Sequence, residues 1–301
     1  MGRMIERYFI PFILGFAPIL LMLLTWAPNG EPSGTMMFIR SQQLPLLAAE
    51  LIVIVIALRE GLPARLKAMR LPWPALAAAL ALTAIALTTA WLAPNPAQAQ
   101  VRTAYWLIHI LFGLSIMHLC AGPLAASDLY RGYAAGFAIF VLLFALFVAQ
   151  VPDPGGFDWT RGLPASGHIR HYGYYAAAVG AFGLGIMALA ETRKRWIGAF
   201  AVTALALGFA LWTGSRGAVI ALVAASAAGL LLVPVMRKAR QWGGALASLG
   251  TAIFVAFWLP APAAHMGLAR TVTASAGGEE SGITTRRTDL WKLAFDALLE
   301  R

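Results

Sequence analysis

The stretch "LWTGSRGAVIAL", residues 211–222, places an arginine in the middle of a long apolar run. Residues 197–236 contain forty positions and one formal charge, Arg216. A helix of that length would measure about 60 Å, twice the roughly 30 Å of a bilayer's hydrocarbon core. The run is therefore predicted to form two helices, with Gly214 and Gly217 permitting a reversal beside Arg216. Because an ionised side chain costs roughly 3 kcal/mol or more at membrane depth, the turn is predicted to lie at a membrane surface.

The composition extends this interpretation to the whole chain. Of its 301 residues, 60% are hydrophobic and 12% are charged, whereas soluble domains carry about 25% charged residues. A net charge of +10 fits the basic loops of a membrane protein better than nucleic-acid binding. The single cysteine, Cys120, excludes an internal disulfide and a cysteine-based metal cluster.

Nine apolar segments predict an all-α, polytopic membrane protein with about nine transmembrane helices. The segments lie at about 8–27, 43–58, 73–93, 103–120, 132–151, 172–190, 197–213, 218–236 and 243–260. Residues 1–260 are accordingly predicted to form a transmembrane helical domain. Residues 261–301 are predicted to begin an extracytoplasmic loop, with an amphipathic helix near 287–300.

The distribution of basic residues predicts the orientation. With a cytoplasmic N-terminus, thirteen basic residues lie on the cytoplasmic side: Arg3, Arg7, Arg59, Arg65, Lys67, Arg70, Arg131, Arg193, Lys194, Arg195, Arg237, Lys238 and Arg240. Before the tail, the opposite side holds five: Arg40, Arg102, Arg161, Arg170 and Arg216. The positive-inside rule favours this assignment, which places the Arg216 turn and the tail outside.

Several arginines on the predicted outer face need a cause other than orientation. They are Arg161, Arg170, Arg216, Arg286 and Arg287. The planar guanidinium suits phosphate oxygens, and the helix predicted to start near Ala218 offers free N–H groups that favour an anion. A lipid-linked phosphate or diphosphate would fit such a surface. The alternative is that each arginine is an interfacial anchor for lipid head groups.

Three motifs resemble one protein family. "TGSRGA", residues 213–218, resembles the Ser-Arg-Gly signature of the O-antigen ligase and O-antigen polymerase family. "RTDLW", residues 287–291, is similar to the family's second motif, an arginine followed by a tryptophan four residues later. "RGLPASGHIRHYGYYAA", from Arg161, is similar to a third and looser pattern, although Arg170 and His171 stand where the family commonly includes asparagine.

The resemblance implies a glycosyltransferase of the bacterial inner (cytoplasmic) membrane, active on its periplasmic face. It would move a glycan from undecaprenyl diphosphate to lipid A-core or to a growing surface polysaccharide, with membrane lipids around it and without metal or cofactor. The sequence has no Asp-x-Asp pair and no glycine-rich nucleotide loop, which agrees. The implied catalytic residues are Arg216 and Arg287. The implied diphosphate-binding residues are Arg161, Arg170, Ser215, Gly217 and Arg286.

The general base is left open. Family members continue beyond the point at which this chain stops and carry a base histidine in that part, so the chain is expected to be a truncated product or a fragment that needs a second polypeptide. His168, His171 and His265, all on the predicted outer face, are alternatives for the base. Ligase and polymerase activities are not separated by these residues.

Two other functions remain open. A transporter or flippase of lipid-linked glycan would need charged groups inside the spans, and Glu50 in the second span is either a structural residue or part of a proton path. His109 and His118 on the fourth span fit helix packing or an interface. A non-catalytic membrane subunit is the third possibility.

Overall fold

The computed structural model describes residues 2–28, 32–68, 73–122, 124–159, 162–166 and 168–258, together with 267, 292–293 and 295–296. Every regular element in these residues is a helix. In chain order the α-helices are α1 (Gly2–Leu24), α2 (Gly34–Gln42), α3 (Leu44–Arg59), α4 (Leu62–Ala68), α5 (Trp73–Trp91), α6 (Pro96–Cys120), α7 (Ala126–Gln150), α8 (Ile169–Leu189), α9 (Arg193–Trp212), α10 (Arg216–Leu232) and α11 (Ala239–Trp258). A 3-10 helix, Pro234–Arg237, precedes α11.

The chain divides into two compact units. Unit 1 contains Met1–Trp26 and Pro32–Leu143, and unit 2 contains Ala27–Glu31 and Phe144–Arg301. Helix α7 contributes its first part to unit 1 and its last turns to unit 2. The predicted tail, with its amphipathic helix near 287–300, lies outside the described residues except at 267, 292–293 and 295–296.

The helices indicate a membrane protein. Each of the nine predicted apolar segments overlaps a helix in its described residues, and six stretches of the described chain are long and apolar enough to cross a bilayer. These are Arg7–Leu24, Gly34–Arg59, Pro96–Cys120, Ala126–Gln150, His171–Leu189 and Arg193–Trp212. Ala77–Trp91 and Arg216–Leu232 are shorter apolar helices. The count of nine crossings and the orientation stay predictions, because length and composition do not fix them.

At the second predicted span, the apolar helical stretch Gly34–Arg59 is longer than the predicted segment at 43–58, because it contains α2 as well as α3. The break between them falls at Gln43, which has a φ of 49° and whose N–H caps α2 at the carbonyls of Ile39 and Arg40. Pro45, in the first turn of α3, explains the break, since proline lacks an N–H and cannot continue the preceding helix.

Helices α1 and α7 approach closely through glycine in unit 1. Gly132 and Gly136, one turn apart on α7, face Pro11 and Gly15, one turn apart on α1. A Cβ atom on Gly132 would overlap the Pro11 carbonyl, and one on Gly136 would overlap the Gly15 carbonyl. Small residues at this spacing bring transmembrane helices into backbone contact, where packing replaces the hydrophobic drive that lipid cannot supply.

An ion-pair cluster joins the beginnings of the same two helices. The Asp128 carboxylate, 6% exposed, accepts from Arg7 Nε at 2.7 Å and from Arg131 Nη1 at 2.7 Å. Its two oxygens are thus each paired with an arginine, which compensates its burial. Asp128 also lies in the first turn of α7, where the positive end of the helix dipole favours a carboxylate.

Polar side chains join α6 to α3 and to the last residue of α2. Glu50 Oε2 of α3 lies 2.7 Å from His109 Nδ1, and the Tyr105 hydroxyl donates to Oε1 of Gln42 in α2 at 2.7 Å. His118 Nε2 lies 3.1 Å from the carbonyl of Glu60, which follows α3. Residue numbers therefore rise together along α3 and α6, so the two helices run parallel. Glu50 therefore has a partner, His109, that the sequence analysis did not assign to it.

Aromatic rings form the core of unit 2 near the end of α7. The Phe144 ring meets the rings of Tyr172, Phe209 and Trp212 edge-on, with centroids 4.9, 5.5 and 5.6 Å away. Such edge-to-face pairs contribute about 0.5–1.5 kcal/mol each beyond their buried area. Because Tyr172 belongs to α8 and the other two to α9, Phe144 holds the beginning of α8 against the end of α9.

The glycine crossing predicts a specific loss of stability. Gly132→Ala should lower the free energy of unfolding by about 1–3 kcal/mol, because the added methyl group overlaps the Pro11 carbonyl. Thermal unfolding of the purified protein in detergent measures the change. Gly113→Ala on α6 is the matched control, since a Cβ there has nothing within 4 Å, and its helix propensity should raise stability by up to about 1 kcal/mol. Equal melting temperatures for the two variants would contradict the close crossing.

Candidate functional site

The apolar run reverses beside Arg216, as the sequence predicts. Helix α9 ends just before the turn, and Arg216 is the first residue of α10. Gly214 makes the reversal with a φ of 65°, a backbone conformation that side chains disfavour. Thr213 is buried in the turn, and its hydroxyl donates to the Ala210 carbonyl at 2.9 Å. Gly217 is not needed for the turn itself, because it is already helical.

The beginning of α8 lies against the beginning of α10. A Cβ atom on Gly173 would overlap the Ser215 Cβ, and it would lie 2.7 Å from Ser215 Oγ and 3.2 Å from the Ala218 Cβ. On the other side, a Cβ on Gly217 would lie 3.8 Å from a ring carbon of Tyr174. Glycine at position 173 is therefore what allows the two helix N-termini to meet.

The meeting of these two N-termini concentrates positive potential. Helix α8 carries Arg170 as its second residue and α10 carries Arg216 as its first, and neither first turn contains an acidic residue. The side chain of Ser215, the N-cap of α10, makes no capping hydrogen bond. The first N–H groups of a helix have no intrahelical acceptor, and the helix dipole disfavours a nearby cation. An anion at this place would offset both helix ends and the arginine charge.

Ser166 orders the loop that leads into α8. Its hydroxyl donates to the His168 carbonyl at 2.9 Å and accepts from the His168 N–H at 3.2 Å. The same oxygen lies 2.8 Å from His171 Nδ1. Because the one hydroxyl hydrogen points to the carbonyl, we assign the proton of this third contact to Nδ1. The neutral His171 ring then keeps its lone pair on Nε2, the nitrogen suited to accept a proton.

Buried aromatic side chains anchor this loop. The Tyr172 hydroxyl donates to the Pro164 carbonyl, and Trp159 Nε1 donates to the Pro154 carbonyl at 2.8 Å. Trp159 is almost fully buried, and its ring meets that of Phe157 at 4.8 Å between centroids. The loop is thus fixed to the aromatic core of unit 2, so that Ser166 and His171 have defined positions.

The structure brings part of the predicted site together. Ser215, Arg216 and Gly217 begin α10, and Arg170 lies in the first turn of α8, which packs against them through Gly173. Other predicted site residues lie outside the described residues: Arg161, Arg286 and Arg287, with the alternative base His265. Where the chain is described, no group of three or more histidine, cysteine, aspartate or glutamate side chains is placed to hold a metal ion.

Gly173 and Ser166 are site residues that the sequence analysis missed. Gly173 stands in "RHYGYYAA", where a glycine inside an apolar helix has no distinguishing local signal. Gly173 matters because it packs against Ser215, which is distant from it in the sequence. Ser166 was part of a quoted motif, but a serine before a helix reads first as a capping residue. Its three contacts with His168 and His171 depend on the folded loop.

An apolar cavity of about 170 Å³ lies among helices α8 to α11. It is lined mostly by leucine and alanine, with Trp242 and Ser226. The Ser226 hydroxyl is already bonded to the Leu222 carbonyl at 2.7 Å, so the lining offers little to a polar ligand. A hydrocarbon chain is the kind of group that such a cavity suits.

Protein-family models, curated proteins and solved structures offer no match to this chain.

The contact between Gly173 and Ser215 predicts a size exchange. Gly173→Ala should lower the melting temperature of the purified protein, because the added Cβ overlaps Ser215. Gly173→Ala combined with Ser215→Gly should recover part of the loss, since the obstructing Cβ is then absent. Gly185→Ala, on the same helix with nothing within 4 Å of a Cβ, is the control and should be neutral or slightly stabilising. Additive losses in the double variant would show that the two residues do not touch.

Proposed function

We propose that the chain is a membrane glycosyltransferase that moves a glycan from undecaprenyl diphosphate to lipid A-core or to a growing surface polysaccharide. The observation that carries the proposal is the contact of α8 with α10, which places the first turns holding Arg170 and Arg216 side by side. The motif resemblance supplies the substrate class. The ligase and polymerase forms of the reaction share this site, and both take the diphosphate as leaving group.

Arg216 is the central residue of the proposed mechanism. As the glycosidic bond to the diphosphate breaks, negative charge grows on the departing phosphate oxygen. A guanidinium beside that oxygen stabilises the transition state, and the N–H groups that open α10 at Gly217 add to the same field. Ser215, at the N-cap position of α10, belongs to the proposed diphosphate site through the motif resemblance. Arg287, Arg161 and Arg286 belong to the proposal through the motif resemblance.

His171 is the described histidine best arranged to take a proton from the acceptor hydroxyl. It lies one residue after Arg170, and its Nδ1 is fixed by Ser166 at 2.8 Å. Nε2 is left as the basic nitrogen, which is the arrangement a general base requires. The acceptor oxygen forms the new glycosidic bond to the anomeric carbon of the donor glycan as the bond from that carbon to the diphosphate breaks. The acceptor proton passes to this nitrogen, and undecaprenyl diphosphate leaves.

Replacement of Arg216 tests the proposal. Arg216→Ala should lower transfer from a polyprenyl diphosphate-linked glycan in reconstituted vesicles by roughly 10²-fold or more, which is typical of removing one group that stabilises transition-state charge. Arg216→Lys should recover only part of the rate, because lysine keeps the charge but lacks the planar fork. Arg195→Ala, an exposed arginine at the start of α9, is the control and should transfer normally. Wild-type rates for Arg216→Ala would remove Arg216 from the active site.

Cysteine labelling tests the proposed periplasmic orientation. In a Cys120→Ala background, Gly155→Cys before α8 should react with a membrane-impermeant maleimide in intact spheroplasts, because its loop is proposed to face the periplasm. Lys194→Cys, at the second residue of α9, should react only after the membrane is opened. Both residues are exposed in the structure, so accessibility alone does not distinguish them. The reverse pattern would invert the topology and move Arg216 to the cytoplasmic face.

One observation favours a second candidate, a transporter of lipid-linked glycan. Glu50 and His109 form a 2.7 Å pair within two membrane-spanning helices, and ionisable groups at such depth mark proton or substrate paths in many transporters. The reconstituted assay separates the two functions. Donor and acceptor placed on the same side of the vesicle membrane give product with a transferase and none with a transporter.

A further inference from the structure

We infer that unit 2 binds the phosphate head group of an anionic membrane phospholipid in a cavity formed by Arg193, Trp196 and Arg240. This site lies at the end of the α8–α11 bundle away from the Arg216 turn. It is independent of the proposed glycan transfer, because it uses none of the residues of that site.

Two chain connections meet at this place, and we call them the basic end: residues 190–196, which lead from α8 into α9, and residues 233–241, which lead from α10 into α11. Six basic residues lie in them: Arg193, Lys194, Arg195, Arg237, Lys238 and Arg240. Glu191 is the one acidic residue in either stretch. The basic end therefore carries a strong positive field at the place where α8 and α10 end and α9 and α11 begin.

Buried contacts fix the two connections against each other. Gln241, which is buried, donates through Nε2 to the Ala188 carbonyl at 3.3 Å. A Cβ on Gly244 would lie 2.8 Å from the Trp196 ring and 3.1 Å from Met187 Sδ, so the absence of a side chain there lets Trp196 lie over α11. The backbone segments that carry the cations of the basic end are thus held side by side.

Arg193, Trp196 and Arg240 line an open cavity of about 410 Å³. The Arg240 guanidinium carbon lies over the Trp196 ring, 5.4 Å from its centroid, where the ring face attracts a cation. A guanidinium is planar and presents its N–H groups as a fork, which suits two oxygens of one phosphate. Arg193, the first residue of α9, adds a second guanidinium beside the N-terminus of that helix.

The other cations of the basic end are arranged differently. Arg237 donates through Nε and Nη2 to the Leu231 carbonyl at 3.1 and 2.5 Å, which caps the end of α10. Lys194, Arg195 and Lys238 are exposed and do not line the cavity. Arg193 and Arg240 therefore stand apart as the pair that converges on one space.

The aromatic neighbours favour a lipid over a free phosphate. The rings of Trp196 and Phe200 stack at 5.5 Å between centroids and 10° between planes, which continues the cavity as a flat apolar wall along α9. Ile197, beside them, is exposed. Tryptophan at a helix end is typical of the head-group level of a membrane. A phosphate held by two arginines with its acyl chains along this wall satisfies the charge and the apolar surface together.

Lipid binding by paired variants tests this inference. The full chain is purified in detergent, and the binding of phosphatidylglycerol and of phosphatidylcholine is titrated by native mass spectrometry. Arg193→Gln with Arg240→Gln should weaken phosphatidylglycerol binding at least about tenfold, since both guanidiniums are proposed to donate charge-assisted hydrogen bonds to the phosphate, which are stronger than neutral ones. Phosphatidylcholine binding should be much weaker and change little. Arg193→Lys with Arg240→Lys should lie between, because the charge stays and the fork is lost.

The control removes the same charge from the same two connections. Lys194→Gln with Lys238→Gln should reduce phosphatidylglycerol binding by no more than about threefold, because neither lysine lines the cavity. Equal losses in the two double variants would overturn the site in favour of diffuse surface charge, and so would unchanged binding in the arginine variant. Inorganic phosphate that displaces the lipid at equal concentration would also overturn the lipid assignment. Matching melting temperatures for the variants establish that any loss is local.

Discussion

An ionised side chain is costly inside hydrocarbon, and this constraint accounts for the positions of three described groups, Arg216, Asp128 and Glu50. Arg216 stands at a turn between two helices. Asp128 is buried at the start of α7, where two arginines and the helix dipole compensate it. Glu50 lies within a helical stretch long and apolar enough to cross a bilayer and is paired with His109. In each case the charge lies at a helix end or beside a partner. The cost of burying an ionised side chain in hydrocarbon therefore also favours arginines at helix ends, where an anion is able to reach them.

A second constraint is how closely helices approach when lipid supplies no hydrophobic drive between them. Glycine provides the approach at two places with different consequences. Gly132 and Gly136 bring α7 against α1 in unit 1, which is a purely structural contact. Gly173 brings α8 against α10 in unit 2 and so joins two positive helix ends. The same packing device builds the scaffold in one unit and the candidate site in the other.

The candidate site and the proposed phospholipid site at the basic end use arginine in two different ways. At the Arg216 turn, the field of two helix N-termini adds to the guanidinium, which suits a charge that grows during a reaction. At the basic end, the Arg240 guanidinium lies over the Trp196 ring and Arg193 lies at the start of α9, which suits a head group that stays bound. The distinction rests on the surroundings of each guanidinium rather than on its charge, which is the same in both.

The sequence by itself determined the membrane class, the helical content and the reversal beside Arg216, because run length and composition are local properties that a bilayer reads directly. It also marked Ser215, Arg216 and Gly217 through a short motif. Only the tertiary structure decided that Gly173 touches Ser215, that Ser166 orients His171, and that Glu50 pairs with His109. Each of these contacts joins residues on different helices or across a folded loop. Helical periodicity gives which face of a helix a residue occupies, but not which neighbour that face meets or at what height.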